Sequence, residues 1–101
     1  MRLSDYQHQV IVQSVKNCFG AQARVKLFGS RTEDSRRGGD IDLLITTDMQ
    51  DVNDIVRAEM RCQVQLQQAL GEQKIDMLID YPNRGHYPAI FRIAEQSGIA
   101  L

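Results

Sequence analysis

One stretch, residues 27–45, decides the fold of this chain; it is Leu27-Phe-Gly-Ser-Arg-Thr-Glu-Asp-Ser-Arg-Arg-Gly-Gly-Asp-Ile-Asp-Leu-Leu-Ile45. An apolar run ends in Gly29-Ser30, a charged segment follows, and a second apolar run begins with Asp40-Ile41-Asp42. Ile and Leu dominate this second run, which follows a pair of glycines and therefore predicts a strand from Asp40 to Ile45. Because side chains alternate between the faces of a strand, we expect Asp40 and Asp42 to point the same way.

These two carboxylates form the first candidate site. Twice the rise per residue of a strand separates them by roughly 7 Å, and carboxylates at that distance repel each other unless a cation lies between them. Ligation by oxygen atoms alone suits Mg²⁺ or Mn²⁺. The alternative interpretation is a solvated strand end that carries two surface acids.

The Gly29-Ser30 pair forms the second candidate site. A glycine lets a phosphate approach the backbone, Ser30 offers a hydroxyl, and a helix that begins there would add N–H donors. Arg31 could add a cationic fork for phosphate. Gly-Ser is also a common turn, but together with the acid pair it predicts a phosphate-binding turn that faces a divalent-metal site.

The other elements follow from periodicity, caps and turn residues. We predict helices over residues 4–19 and 88–97, strands over 23–28 and 73–80, and a loop or short helix over 30–39. Ser4 and Gln7 have the spacing of a capping box, and Asp48 or Asp51 can cap a long helix that ends near Leu70. Helical spacing predicts that this long helix buries one apolar stripe, Val52, Ile55, Val56 and Met60. Its glutamine face is predicted to be solvated: Gln63, Gln65, Gln67 and Gln68.

Link lengths predict the sheet. The link between the first two strands is too short for a crossover, so we expect them antiparallel, whereas the long helix allows a parallel third strand. That pairing would place Asp76 next to Asp42. Asp80 is the alternative acid on this strand, but it lies at the strand's exit, far from the Asp40 end. The result is an α+β domain, α-β-α-β-α-β-α, with a small mixed three-stranded sheet packed by helices. Its apolar tail, residues 99–101, is predicted to dock on its own core or on a partner.

Composition sets further limits. With 101 residues and 43% hydrophobic side chains, the chain fits one domain, residues 1–101, small enough that a partner or an oligomer would help it to bury its surface. A net charge of -1 argues against stable binding of nucleic acid. Cys18 and Cys62 could pair, but reduced core thiols are the favoured interpretation. No segment is apolar enough to suggest a membrane span, so we expect a soluble, cytoplasmic protein.

The motif carries a resemblance to a known family. Gly29-Ser30 followed by Asp40-x-Asp42 is similar to the signature of the DNA polymerase β-like nucleotidyltransferases, and most of all to the small bacterial minimal nucleotidyltransferases. The similarity covers about residues 24–80 and, more weakly, 90–101. Members often have Ser or Thr before the first acid, where this chain has Gly39. They are commonly encoded beside a HEPN-domain toxin, as its antitoxin.

The resemblance implies a fold and an activity. The fold would be that of the polymerase β-like nucleotidyltransferases, and the activity a Mg²⁺-dependent transfer of AMP from ATP to a hydroxyl of the toxin, with tyrosine as the best candidate. Asp40, Asp42 and Asp76 would be the catalytic residues and the ligands of two Mg²⁺ (or Mn²⁺) ions. Nucleotide binding would involve Gly29, Ser30 and Arg31. Arg36 and Arg37 either contact phosphates or lie in a solvated loop.

One alternative function remains open: a catalytically silent antitoxin that neutralises its toxin by binding alone. In both cases we expect a hetero-oligomer with the HEPN-domain toxin. Transfer to a small molecule usually involves an additional substrate domain, for which this chain has no residues. The chain also has no Walker sequence, Gly-x-Gly-x-x-Gly motif, zinc-ligand spacing or Ser/His/Asp set, so competing nucleotide chemistries lack their residues.

Overall fold

The chain folds into a small α+β domain with three helices and one mixed sheet over the residues described by the computed structural model, 3–29, 40–82, 84–85 and 88–101. In chain order the elements are α1 (Asp5–Phe19), β1 (Arg24–Phe28), β2 (Ile41–Thr46), α2 (Val52–Leu70), β3 (Ile75–Asp80), α3 (Ala89–Ser97) and β4 (Ile99–Ala100). The loop or short helix predicted between β1 and β2 falls on residues 30–39, which lie outside the described part.

The sheet has four strands in the order β3-β2-β1-β4. Strands β1 and β2 are antiparallel and β2 and β3 are parallel, which confirms both predicted pairings. The prediction of three strands is wrong, because the C-terminal tail pairs with β1 as a fourth strand, with Leu27 opposite Ile99. The Leu101 N–H also donates to the Val25 carbonyl at 3.0 Å. A two-residue strand is too short for any periodicity to reveal it.

Side-chain caps fix where the helices begin. At the start of α1 the Gln7 N–H donates to Ser4 Oγ at 3.1 Å and the Ser4 N–H donates to Gln7 Oε1 at 2.9 Å, which confirms the capping box. At α2 the cap is Asp51 and not Asp48, since its carboxylate accepts from the Asn53 N–H at 2.8 Å and the Asp54 N–H at 3.4 Å. None of the described helices is long and apolar enough to cross a membrane.

The two faces of the sheet are covered unequally. One face packs on α1 and α2 and forms the main core, with Ile41, Leu43 and Ile45 of β2 fully buried. The other face carries a smaller cluster of Phe28, Leu44 and Ala94, the last contributed by α3. The alternation of Arg24 and Lys26 with Val25 and Leu27 in β1 predicts a solvated second face. Instead α3 covers part of it, and Lys26 Nζ lies 2.8 Å from Glu95 Oε1 of α3.

Helix α2 buries a different side from the predicted one. Its fully or nearly buried residues are Ile55, Ala58, Cys62 and Leu66. Of the predicted stripe only Ile55 is buried; Val52, Val56 and Met60 are exposed, Met60 to 64%. Ala58 and Cys62 are small, so they allow close packing against the neighbouring helix, whereas the prediction weighted the larger side chains.

Two glutamines of α2 tie the helix to the start of β3. Gln67 Nε2 donates to the Gln73 carbonyl at 2.6 Å, and its Oε1 accepts from the Gln73 N–H at 3.0 Å. Gln63 Nε2 donates to the Ile75 carbonyl at 2.9 Å. The prediction of a merely solvated glutamine face is therefore wrong for these two residues. Their bonds hold the chain in the approach to Asp76.

Candidate functional site

Two acids from different parts of the chain meet on the α3 side of the sheet. Asp42 is the second residue of β2, Asp76 is the second residue of β3, and the parallel register pairs them directly. Neighbouring strands lie about 4.8 Å apart, so the two side chains leave the same face close together. The Asp76 carboxyl acts on Asp42 by its charge and, when one of the two groups is protonated, as a hydrogen-bond partner. The neighbourhood predicted for Asp76 and Asp42 is confirmed, and their catalytic role stays a prediction.

Asp42 has a perturbed acidity. Partial burial raises the pKa of its carboxyl above the ordinary 3.8, and the negative charges of Asp76 and then Asp40 raise it further. Lys74 acts in the opposite direction. A carboxyl whose pKa is raised by burial and by like charges favours the arrival of a proton or a cation.

Asp40 lies just before β2 and is only partly exposed. Its Oδ2 is 3.6 Å from Lys74 Nζ, in an ion pair open to solvent. The backbone brings the two residues together, because the Ile41 N–H donates to the Lys74 carbonyl at 3.1 Å. Sequence reasoning missed Lys74. Its place two residues before the third acid, on a strand predicted to run parallel to β2, was a signal that could have revealed it.

Gly29 directly follows the end of β1 that lies nearest the acids, since its neighbour Phe28 pairs with Asp42. Its φ of 77° lies in the left-handed region that disfavours other residues. A Cβ on Gly29 would also press against the Asp42 carboxylate, only 3.1 Å from its Cγ. Glycine was predicted here so that a phosphate could approach the backbone. The structure adds a second reason, which is the space required by Asp42.

The predicted phosphate-binding residues cannot be placed. Ser30, Arg31, Arg36 and Arg37 all lie in residues 30–39, outside the described part of the chain. The nucleotide-binding half of the site therefore stays a prediction, apart from Gly29.

The carboxylates of the described acids are suitable ligands for a divalent metal, but the structure does not bring three of them together. Among the described residues no three His, Cys, Asp or Glu side chains are grouped so that they could hold a metal ion. Asp42 and Asp76 are together, whereas Asp40 is paired with Lys74. The donor set consists of carboxylate oxygens, which Mg²⁺ and Mn²⁺ prefer, and a cation would relieve the repulsion at Asp42.

A groove of about 570 Å³ runs along α3 on the same side of the sheet. Its floor includes Leu44, the next residue of β2 after Asp42 on this face, and its wall includes Phe91. Arg84 places its guanidinium 3.7 Å from the centre of the Phe91 ring, and its Nε is 3.9 Å from Asp80 Oδ1. Asp80, the competitor of Asp76, is thus engaged at the far end of β3.

Comparison with known proteins was made for the whole sequence. A scan against models of protein families gave no match, and a search of curated proteins gave none either. The fold and the site therefore define a small α+β domain with a mixed four-stranded sheet and two acids paired on adjacent parallel strands. Membership of the nucleotidyltransferases stays a prediction from the motif.

Proposed function

We propose that the protein is a divalent-metal-dependent nucleotidyltransferase that transfers AMP from ATP to a tyrosine hydroxyl of a cognate HEPN-domain toxin, and so acts as its antitoxin. One observation carries the proposal: the register that pairs Asp42 with Asp76 beside Gly29. In the family that the motif resembles a third acid completes the metal site, and in this chain Asp76 would supply it from the neighbouring strand, far along the sequence.

Different residues of the chain would bind the metal and the phosphates. Asp42, with Asp40 once it leaves Lys74, would hold the metal ion that binds the triphosphate, and Asp76 would be needed for the second ion, on the acceptor side. When bound, the metal supplies Lewis acidity that lowers the pKa of an attacking hydroxyl and neutralises phosphate charge. Gly29 leaves room beside Asp42, and Ser30 and Arg31 would bind the outer phosphates.

The transfer itself balances without a further reactant. The acceptor oxygen forms a bond to the α-phosphorus of ATP as the bond to the pyrophosphate oxygen breaks, and pyrophosphate leaves. The proton of the acceptor hydroxyl passes to Asp76, which is exposed and adjoins Asp42, and from there to solvent. The attached AMP would add bulk and negative charge near the active site of the toxin, where it could block the binding of RNA.

The first test concerns the metal. Calorimetric titration of ATP should show binding that requires Mg²⁺ or Mn²⁺ and that Asp42→Asn weakens about tenfold or more. Asp48→Asn is the matched control, because Asp48 is exposed and follows β2 on the same segment of chain. Equal metal-dependent binding by the wild type and Asp42→Asn would contradict the proposal.

The second test concerns the acceptor. The protein is incubated with Mg²⁺, ATP and the product of its neighbouring gene, which is then weighed by mass spectrometry. We expect mass increments of AMP that vanish with Asp40→Ala. A neighbour that is neutralised without modification, and equally well by Asp40→Ala, would instead establish the silent antitoxin. The ion pair that engages Asp40 is the observation that favours this second function.

A further inference from the structure

Lys74 lies beside the acids of the candidate site, Asp40, Asp42 and Asp76. Its Nζ lies 3.6 Å from Asp40 Oδ2, and its charge also reaches Asp42, whose pKa it lowers. The Lys74 backbone is anchored by the Ile41 N–H, while 69% of its side chain is exposed. The ammonium can therefore leave Asp40 without any change in the backbone.

The charges around it explain why a cation is needed there. Asp40, Asp42 and Asp76 place three negative charges at one end of the sheet, where each raises the free energy of the others. Two other cations of this face, among the residues that the structure describes, are engaged elsewhere: Lys26 pairs with Glu95, and Arg84 lies against Phe91 and Asp80. Within the described residues, Lys74 is the cation that acts on Asp42.

We propose that Lys74 is a built-in counter-ion, which holds Asp40 in the metal-free protein and releases it when a divalent cation binds. The inference rests on the proposed function and deepens it, since it assigns a positioning residue to the same metal site. The ion pair explains why Asp40 does not join the other two acids in the metal-free protein. Lys74 therefore competes with the metal: it stabilises the metal-free domain and weakens the affinity for the metal.

The test is Mn²⁺ binding in the absence of nucleotide, followed by the electron paramagnetic resonance signal of free Mn²⁺. Lys74→Met removes the charge and keeps the length of the side chain. Lys16→Met is the matched control, because Lys16 is exposed in the last turn of α1, on the opposite side of the sheet. Exposed ion pairs are weak, so we expect Lys74→Met to bind Mn²⁺ about two- to fivefold more tightly than Lys16→Met.

A second measurement is thermal unfolding with a chelator and with Mn²⁺. With the chelator, Lys74→Met should unfold a few degrees below Lys16→Met, and added Mn²⁺ should raise its midpoint by more. A residue with a merely structural role would weaken the binding of Mn²⁺ when removed, not tighten it.

The outcomes separate the two claims. If the wild type binds Mn²⁺, Asp42→Asn does not, and Lys74→Met binds no more tightly than Lys16→Met, the counter-ion is overturned while the metal site stands. Mn²⁺ binding by Lys74→Met, together with no detectable binding by the wild type, would support the counter-ion role of Lys74 most strongly. If neither binds Mn²⁺ at millimolar concentration, the proposed function fails and the counter-ion fails with it.

Discussion

Asp42 and Asp76 lie opposite each other on two parallel strands, close enough for their carboxyl groups to share a proton. The partial burial of Asp42 makes this pair more than two surface acids, because burial and like charge both raise its pKa. Such a pair is costly while both groups are ionised and becomes favourable when a proton or a cation joins it. The free energy of unfolding of the metal-free protein should therefore contain a contribution from this pair that changes with pH.

The first prediction concerns pH. The pKa of Asp42 is raised above 3.8 in the folded state, so its proton favours folding at low pH, and this contribution is lost as the pH rises through the folded-state pKa. Metal-free Asp42→Asn should gain stability relative to the wild type as the pH rises from about 3.8 to neutrality, by about 1 kcal/mol or less because the group is partly solvated. Urea unfolding measures the difference. A difference that does not change with pH would contradict it.

A second prediction concerns Gly29. Gly29→Ala should be destabilised by more than Gly71→Ala, which serves as its control. Both glycines have similar left-handed φ values, 77° and 82°, but a Cβ on Gly71 would meet nothing within 4 Å whereas one on Gly29 would press on Asp42. Backbone strain alone is worth about 1–2 kcal/mol at either position. Only Gly29→Ala should also weaken the binding of Mn²⁺; equal effects on that binding would show that Gly29 has no part in the site.

The third prediction separates binding from turnover. In the proposed mechanism Asp76 serves the acceptor side, so Asp76→Ala should abolish AMP transfer and leave metal-dependent ATP binding largely intact. Ser30→Ala should mainly weaken nucleotide binding, since Ser30 would hold outer phosphates. Calorimetry and single-turnover assays at saturating ATP measure the two effects. Loss of ATP binding by Asp76→Ala with an unchanged transfer rate would reverse these assignments.

The fourth prediction concerns the link between α2 and β3. Gln67→Ala removes two hydrogen bonds to the Gln73 backbone and should cost about 1–2 kcal/mol in the free energy of unfolding. Gln68→Ala, the next residue and exposed, should change it by less than about 0.5 kcal/mol. Urea unfolding compares them, and hydrogen exchange should show faster exchange at the start of β3 for Gln67→Ala alone. Equal costs would mean that the bonds to Gln73 contribute nothing.

The last prediction concerns Cys62. Burial, and secondarily the adjacent Cys18, raises the pKa of its thiol from 9.0 to about 12. The thiolate is the reactive form, so at pH 7.5 the native Cys62 should alkylate about a thousandfold more slowly than in urea-unfolded protein. Timed alkylation with peptide mass mapping distinguishes it from Cys18. Comparable rates in native and unfolded protein would show that the helix pair opens readily.

Sequence reasoning succeeded where the interaction is local. The capping box of Ser4 and Gln7 depends on residues three apart, and the strand that carries Asp42 depends on its own composition. Even the proximity of Asp76 to Asp42 followed from a local quantity, the length of the helix that connects their strands. It failed for the buried side of α2, because Ala58 and Cys62 are buried owing to what they pack against rather than their own hydrophobicity.

Periodicity, capping and link length act over short separations, so they were sufficient to predict the types of elements, the pairing of the three main strands and two acids of the candidate site. Four further contacts became visible only in the folded domain. Lys74 forms an ion pair with Asp40, and Gln67 forms hydrogen bonds with the Gln73 backbone. Helix α3 covers the second face of the sheet, and residues 99–100 extend the sheet. Most of these contacts join segments that are far apart in the chain, and the bonds of Gln67 to Gln73 depend on the position of a side chain rather than on periodicity. No short-range pattern therefore specifies them.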